Sequence, residues 1–188
     1  MRKIILVIVV LVLVVVVAVF LIFYKPYKPP TMEDLKNEAK QTLNIYCEAF
    51  SYGGQIPKKY TCDGENVPPP ITWGNVPQGI KSFVIIMYDP DAPGGTFIHW
   101  ILFNIPPTVT SISEENADKV GVKGRNDFGR LGYGGPCPPP GSTHRYFIIV
   151  FALDTQLNLK EGVKLSAVLE AMKGHVIAYG EYMGKYRR

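Results

Sequence analysis

Cysteine and histidine are scarce in this chain, with three of each in 188 residues. Three cysteines are too few to staple a disulfide-built scaffold, so the fold must rest on a hydrophobic core. Acidic residues are missing from the first 28 positions, where Arg2, Lys3, Lys25 and Lys28 stand. Those four make up the whole formal charge of +4, since Lys plus Arg is 20 and Asp plus Glu is 16. From position 29 onward the chain is neutral. A nucleic-acid binder, which needs a basic face to neutralise phosphates, is therefore not expected. G-x-S-x-G, P-loop and dinucleotide motifs are absent, and so is any internal repeat. What the chain does have, 47% apolar and 12% aromatic residues, rules out disorder and predicts one globular domain.

One long hydrophobic run stands apart. Ile4 to Phe23 are all apolar, without charge, Gly or Pro. A helix of that length covers roughly 30 Å, the thickness of a bilayer's hydrocarbon core. A cleaved signal peptide is the rival, but Val19-Phe20-Leu21-Ile22-Phe23-Tyr24 offers no small-residue cleavage site. The prediction is an uncleaved signal anchor over 4–23, a single-pass protein of the cell membrane. Arg2 and Lys3 weigh slightly towards an inside N-terminus and a globular domain on the outer side. Residues 24–42 read as stalk and linker, with Tyr24-Lys25-Pro26-Tyr27-Lys28-Pro29-Pro30 as a stiff, extended start. Thr31 and Asp34 suit the capping of a short polar helix running to about Lys40.

The domain, 43–188, is predicted to be mainly β. Phe83 to Tyr88, His99 to Ile105 and Arg145 to Leu153 are apolar runs rich in β-branched and aromatic residues and bounded by breakers. Leu165, Val168, Leu169 and Met172 form one helical stripe; Gly174 interrupts it, and Val176, Tyr179 and Met183 suggest a second short helix. The fold class that results is an antiparallel β-sandwich of two sheets with peripheral C-terminal helices.

Polar residues gather at the strand ends. Asp89 and Asp91 follow the first run, His99 opens the second and His144 the third. Alternation puts His144 and Tyr146 on one face and Arg145 on the other; the same rule pairs His99 with Ile101, opposite Trp100. A structural role for each histidine and a turn role for the Asp-Pro-Asp segment are the plainer alternatives. Asp-Pro-Asp plus scattered histidines matches no metal-ligand spacing, and no cofactor is expected. Cys137 with a histidine suggests a nucleophile and base, but no orienting group or oxyanion hole is identifiable. The expectation is a polar pocket without catalysis.

Asp89-Pro90-Asp91-Ala92-Pro93, His99-Trp100, Gly135-Pro136-Cys137-Pro138-Pro139 and His144-Arg145-Tyr146 occur in the order seen in phosphatidylethanolamine-binding proteins. Tyr60-Thr61-Cys62-Asp63-Gly64-Glu65-Asn66-Val67 and the segment from His175 to Arg188 resemble the bacterial and archaeal branch. The resemblance spans roughly residues 43–188. It implies a two-sheet sandwich with a small anion pocket at one end, formed by Asp89, His99, Gly135, Cys137, Pro138, His144 and Tyr146, with Asp91 supporting the loop. The ligands it implies are phosphate-like or carboxylate groups, including phospholipid head groups; a peptidase, inhibited through a surface loop, is a further partner. The family also suggests a cis peptide at Ala92–Pro93. Cys137 stands where animal members have glycine, which narrows the opening, and a Cys62–Cys137 disulfide is open outside the cytoplasm. His99 or His144, if protonated, would offer N–H to the anion, Tyr146 its O–H, and Asp89 would orient a histidine and favour its charged form.

Overall fold

The computed structural model describes residues 13–15, 17, 19–21, 23, 24, 26–117 and 119–188. The run expected to anchor the chain, 4–23, lies largely outside these residues. Among the described residues no helix is long and apolar enough to cross a membrane.

In chain order the elements are α1 (Met32–Glu38), β1 (Gln41–Thr42), β2 (Asn44–Cys47), β3 (Ile71–Gly74), β4 (Ser82–Asp89), β5 (Phe97–Ile105), β6 (Ser111–Ile112), β7 (Val122–Lys123), β8 (Thr143–Leu153), α2 (Leu165–Met172) and β9 (Val176–Arg187). The three apolar runs of the sequence became β4, β5 and β8, which lie side by side in a sheet ordered β1-β9-β8-β4-β5-β7. A smaller sheet, β2-β3-β6, covers one face. The large sheet is antiparallel except for the short β1–β9 pair. Its strands read as continuous apolar runs because both faces are covered. Phe83, Ile85, Met87, Trp100, Ile148 and Val150 pack towards Ile71, Trp73 and Ile112 of the small sheet. Val84, Ile86, Ile101, Phe103, Ile149 and Phe151 pack towards Leu35 of α1 and Val168, Leu169 and Met172 of α2.

Two expectations are corrected here. Val176 to Arg187 are a strand, not a helix, paired along the whole of β8. Its face towards the small sheet is Ala178, Gly180, Tyr182, Gly184 and Tyr186, while Val176, before a shift in register, packs in the helix-covered core. A Cβ on Gly180 would come within 2.5 Å of the Leu43 carbonyl, and one on Gly184 within 2.5 Å of the Phe50 ring. The glycines let the neighbouring layer approach, and they erase the apolar alternation that would have announced a strand. Residues 31–42 also fold with the body instead of linking to it. Thr31 and Asp34 form the capping box of α1, Leu35 is buried, and β1 pairs with β9. The Glu38 carboxylate accepts the backbone N–H groups of Gly174 and Val176 at 3.1 and 2.9 Å, so α1 holds the turn into β9.

Candidate functional site

β4 and β5 form a hairpin in which Asp89 faces Phe97, and β8 lies against β4 on its other side. The end of β4 and the starts of β5 and β8 therefore meet at one rim. A cavity of about 200 Å³ opens there, walled by Asp89, Ala92, Pro93, Phe97, His99, Phe128, Cys137, Pro138, Pro139 and His144.

His99 reaches this cavity through a break in the strand's alternation. Between β4 and β5 the register shifts, with Met87 opposite Trp100 but Tyr88 opposite Ile98, so His99 is the extra residue of a β-bulge. Its ring meets Tyr146 edge-on at 5.2 Å, and Tyr146 shares the inter-sheet core with Trp100, whereas Ile101 belongs to the helix-covered face. The expected pairing of His99 with Ile101 is thereby reversed. The loop after β7 pins the bulge. Gly134 N–H donates to the His99 carbonyl at 2.9 Å, and Asp127 accepts the Ile98 N–H at 2.7 Å.

Each imidazole is fixed through Nδ1. His99 Nδ1–H donates to the Gly134 carbonyl at 2.7 Å, which sets its tautomer and leaves Nε2 as the free ring nitrogen. Burial lowers its pKa, so His99 is neutral at pH 7 and Nε2 is an acceptor. Of the two histidines named as donors if protonated, His99 is therefore one that does not donate through Nε2. His144 Nδ1 lies 2.7 Å from Asp89 Oδ2, with both side chains buried. Asp89 thus orients one histidine, and its other oxygen accepts the Asp91 N–H at 2.8 Å. Asp91 itself turns to Arg145, accepting from Nε, Nη2 and the backbone N–H at 2.9, 2.6 and 2.9 Å. The guanidinium holds the Asp91 carboxyl at about 2.

Tyr146 lies beneath the cavity wall between the two imidazoles, its ring 5.2 Å from His99 and 6.5 Å from His144. Its hydroxyl is buried; the Asp89 carboxylate and the Cys137 backbone lie near it, but neither completes a hydrogen bond. Burial, with the nearby Asp89 carboxylate, pushes the phenol far above its usual range, so it can only be a neutral O–H.

Gly135 is not part of the wall. Its N–H donates to Asn66 Oδ1 at 2.7 Å, and a Cβ there would lie 2.5 Å from the Tyr60 carbonyl. It is a close-packing glycine that seats the proline-rich strip on the 58–66 loop. Cys137 does line the cavity, bonded to Cys62 with Cα atoms 5.4 Å apart. As a disulfide it supplies no thiolate, which removes the nucleophile-and-base reading. All peptide bonds among the described residues are trans, Ala92–Pro93 included, against the expected cis bond. No group of three or more His, Cys, Asp or Glu among the described residues is placed to hold a metal ion.

The sequence reading missed Ala92, Pro93, Phe97, Phe128 and Pro139 in the wall. Pro139 stands inside the quoted motif and could have been included. Phe128 carries no signal beyond being an aromatic in a glycine-rich loop.

Two buried, tautomer-fixed imidazoles and an orphaned phenol at the rim of a two-sheet β fold define a class of small-pocket sandwich proteins. The profile of the phosphatidylethanolamine-binding protein family matches residues 47–187, and the chain belongs to that family. A "UPF0098 protein" of Methanothermobacter thermautotrophicus is 49% identical over 152 residues, which is 78% of this chain and 99% of that protein. Another from Aquifex aeolicus is 46% identical over 152 residues, covering 78% of this chain and 89% of its own length. Among solved structures, a phosphatidylethanolamine-binding protein homologue from Chlamydia trachomatis superposes with TM-score 0.74 at 43% identity, covering 79% of this chain and 99% of its own. The Escherichia coli protein YbcL, described as a member of the mammalian family, does so at 0.72 and 34%, covering 78% and 98%.

Proposed function

We propose that this chain is a non-catalytic binding module whose rim pocket takes a small oxyanion: a phosphate, a carboxylate or the phosphate of a phospholipid head group. The observation that carries this reading is the Tyr146 hydroxyl, buried without a protein partner beneath a cavity walled by both histidines. A buried O–H left unpaired costs about 1–3 kcal/mol, which a ligand oxygen would recover. His144, oriented by Asp89, presents its Nε2. His99 Nε2 accepts, so it suits a ligand oxygen that carries its own proton, as in a phosphate monoanion. Ala92, Pro93, Phe97, Phe128, Pro138 and Pro139 exclude water around these groups.

Bonds to a charged ligand contribute about 1.5–3 kcal/mol each before desolvation and ordering are subtracted, which gives micromolar-to-millimolar recognition of a bare anion. Calorimetric titration with phosphate and with phosphoethanolamine tests it. Binding is expected for both and is expected to vanish in His99→Gln and to weaken in Tyr146→Phe; unchanged binding in both variants would sink the assignment. The apolar run 4–23 supports a further part of the proposal, a membrane tether with the domain on the outer side. Full protection of the domain from protease on intact cells would contradict that placement.

A further inference from the structure

An anion site needs positive charge, and the described residues that wall the cavity include no lysine or arginine. Asp89 brings a carboxylate, and His99 is held neutral. The nearest arginine in sequence, Arg145, is turned to the other side of β8 and engaged at three atoms by Asp91.

Arg188 is placed differently. Its backbone is fixed at the loop between two wall residues, Pro139 and His144: its carbonyl accepts the Gly141 N–H at 2.7 Å and its N–H reaches the Ser142 carbonyl at 3.3 Å. Its Nη1 lies 3.6 Å from the sulfur of Cys137, itself part of the wall. Its Nε lies 3.1 Å from Asp63 Oδ1, while the other Asp63 oxygen accepts the Tyr186 hydroxyl at 2.8 Å. The side chain is 43% exposed and Asp63 23% exposed. One edge of the guanidinium is therefore held by Asp63, and the group adjoins the sulfur of a wall residue, Cys137, without itself lining the cavity, with donors to spare.

We infer that Arg188 is the anion-binding cation of this pocket, held in waiting by Asp63 and shared with an oxyanion once one occupies the space beside Cys137 and Pro138. A planar guanidinium matches two oxygens of a phosphate or carboxylate, so the preferred ligand exposes two free oxygens towards the rim. Asp63 competes with that ligand for the same charge. The inference rests on the pocket being an oxyanion site.

The test is titration of inorganic phosphate into the full chain in detergent, read alongside thermal unfolding. Arg188→Ala is expected to weaken phosphate binding about fivefold to tenfold. Raising salt from about 20 mM to about 300 mM should weaken the parent protein more than this variant. Asp63→Asn keeps one acceptor oxygen, removes the competing charge on Arg188, and is expected to tighten binding about twofold to fivefold. A purely structural Arg188 would make Asp63→Asn weaken binding as Arg188→Ala does; that result, or an Arg188→Ala variant that binds as the parent does, overturns the inference. Loss of binding in His99→Gln with none in Arg188→Ala would overturn only the role of Arg188. Absence of phosphate binding in the parent protein would overturn the pocket reading and this inference together.

Discussion

At the scale of the residue, His99 shows how burial decides what a side chain can offer. Its folded pKa lies below the ordinary 6.5 because the charged ring would be desolvated. The unfolded chain therefore binds the extra proton first as pH falls. The contribution of His99 to stability is complete above about pH 6.5 and is lost as pH drops towards its folded pKa. Urea unfolding at about pH 7.5 and about pH 5.5 should show that loss in the parent protein and less of it in His99→Gln. Equal acid sensitivity in the two proteins would contradict a buried, neutral His99. A neutral, accepting His99 selects the phosphate monoanion over the dianion, so phosphate should bind with net proton uptake near neutral pH, visible as a calorimetric enthalpy that changes with buffer. Asp91 titrates far from this window. Its carboxyl, held at about 2, keeps the Arg145 pair intact until strongly acid pH. Because Arg145 is half exposed, losing the pair in Asp91→Asn should shift the urea midpoint only slightly. The polar residues themselves were legible in the sequence, since Asp89, His99, His144 and Tyr146 all reached one rim. What no alternation rule could show was the bulge that turns His99 towards Tyr146, because a bulge is fixed by the partner strand and the loop pinned to it.

At the scale of the element, legibility followed how each segment is stabilised. β4, β5 and β8 announced themselves because both their faces are buried in apolar cores, and α2 because its buried stripe, Val168, Leu169 and Met172, keeps helical spacing. β9 did not, since Gly180 and Gly184 occupy inward positions where an apolar residue would have marked the period of two. Their role is testable. Gly180→Ala drives a methyl into the Leu43 carbonyl, which cannot move without disturbing β1 and β2, and should cost about 3 kcal/mol. Gly184→Ala meets side-chain atoms of Phe50 and Ile56, which can shift, and should cost about 1 kcal/mol. Comparable urea midpoints for the two variants would mean that the layers are not packed as described. The proline strip 136–140 is the opposite case, a pocket wall with few backbone donors of its own. Cys62 ties it down by donating its N–H to the Pro136 carbonyl at 3.1 Å and by bonding to Cys137. A bond closing a loop of 75 residues constrains the unfolded chain by about 4 kcal/mol. Cys62→Ser should lower stability by up to that amount and weaken phosphate binding, because Cys137 and Pro138 are wall residues.

At the scale of the whole molecule, the positions of stalk and pocket constrain where a ligand comes from. Tyr27 hydrogen-bonds Glu170 on α2. Lys28 and Pro30 share a cleft with Asp34, Leu35, Glu38 and Lys173. Lys173 adjoins the turn into β9, where Val176 faces Leu153 at the end of β8. The pocket lies at the other end of that strand, where His144 faces Tyr186. From His144 to Leu153 an extended strand covers roughly 30 Å. A chain tethered through 4–23, as proposed, would therefore hold its pocket away from the bilayer that anchors it. Its oxyanion would come from the aqueous phase or from an apposed surface, and the head groups of its own membrane would be out of reach. Two consequences are measurable with the full chain in phosphatidylcholine vesicles. A fluorophore at Lys173→Cys should transfer energy to acceptors on the lipid surface more efficiently than one at Ser142→Cys; Cys47 is buried and the other two cysteines are bonded, so each label is selective. Phosphoethanolamine added in solution should bind equally well whether or not the vesicles contain phosphatidylethanolamine, since a lipid that cannot reach the pocket cannot compete for it. The reverse order of transfer efficiencies, or competition by the host bilayer's own lipid, would place the pocket at the membrane face instead.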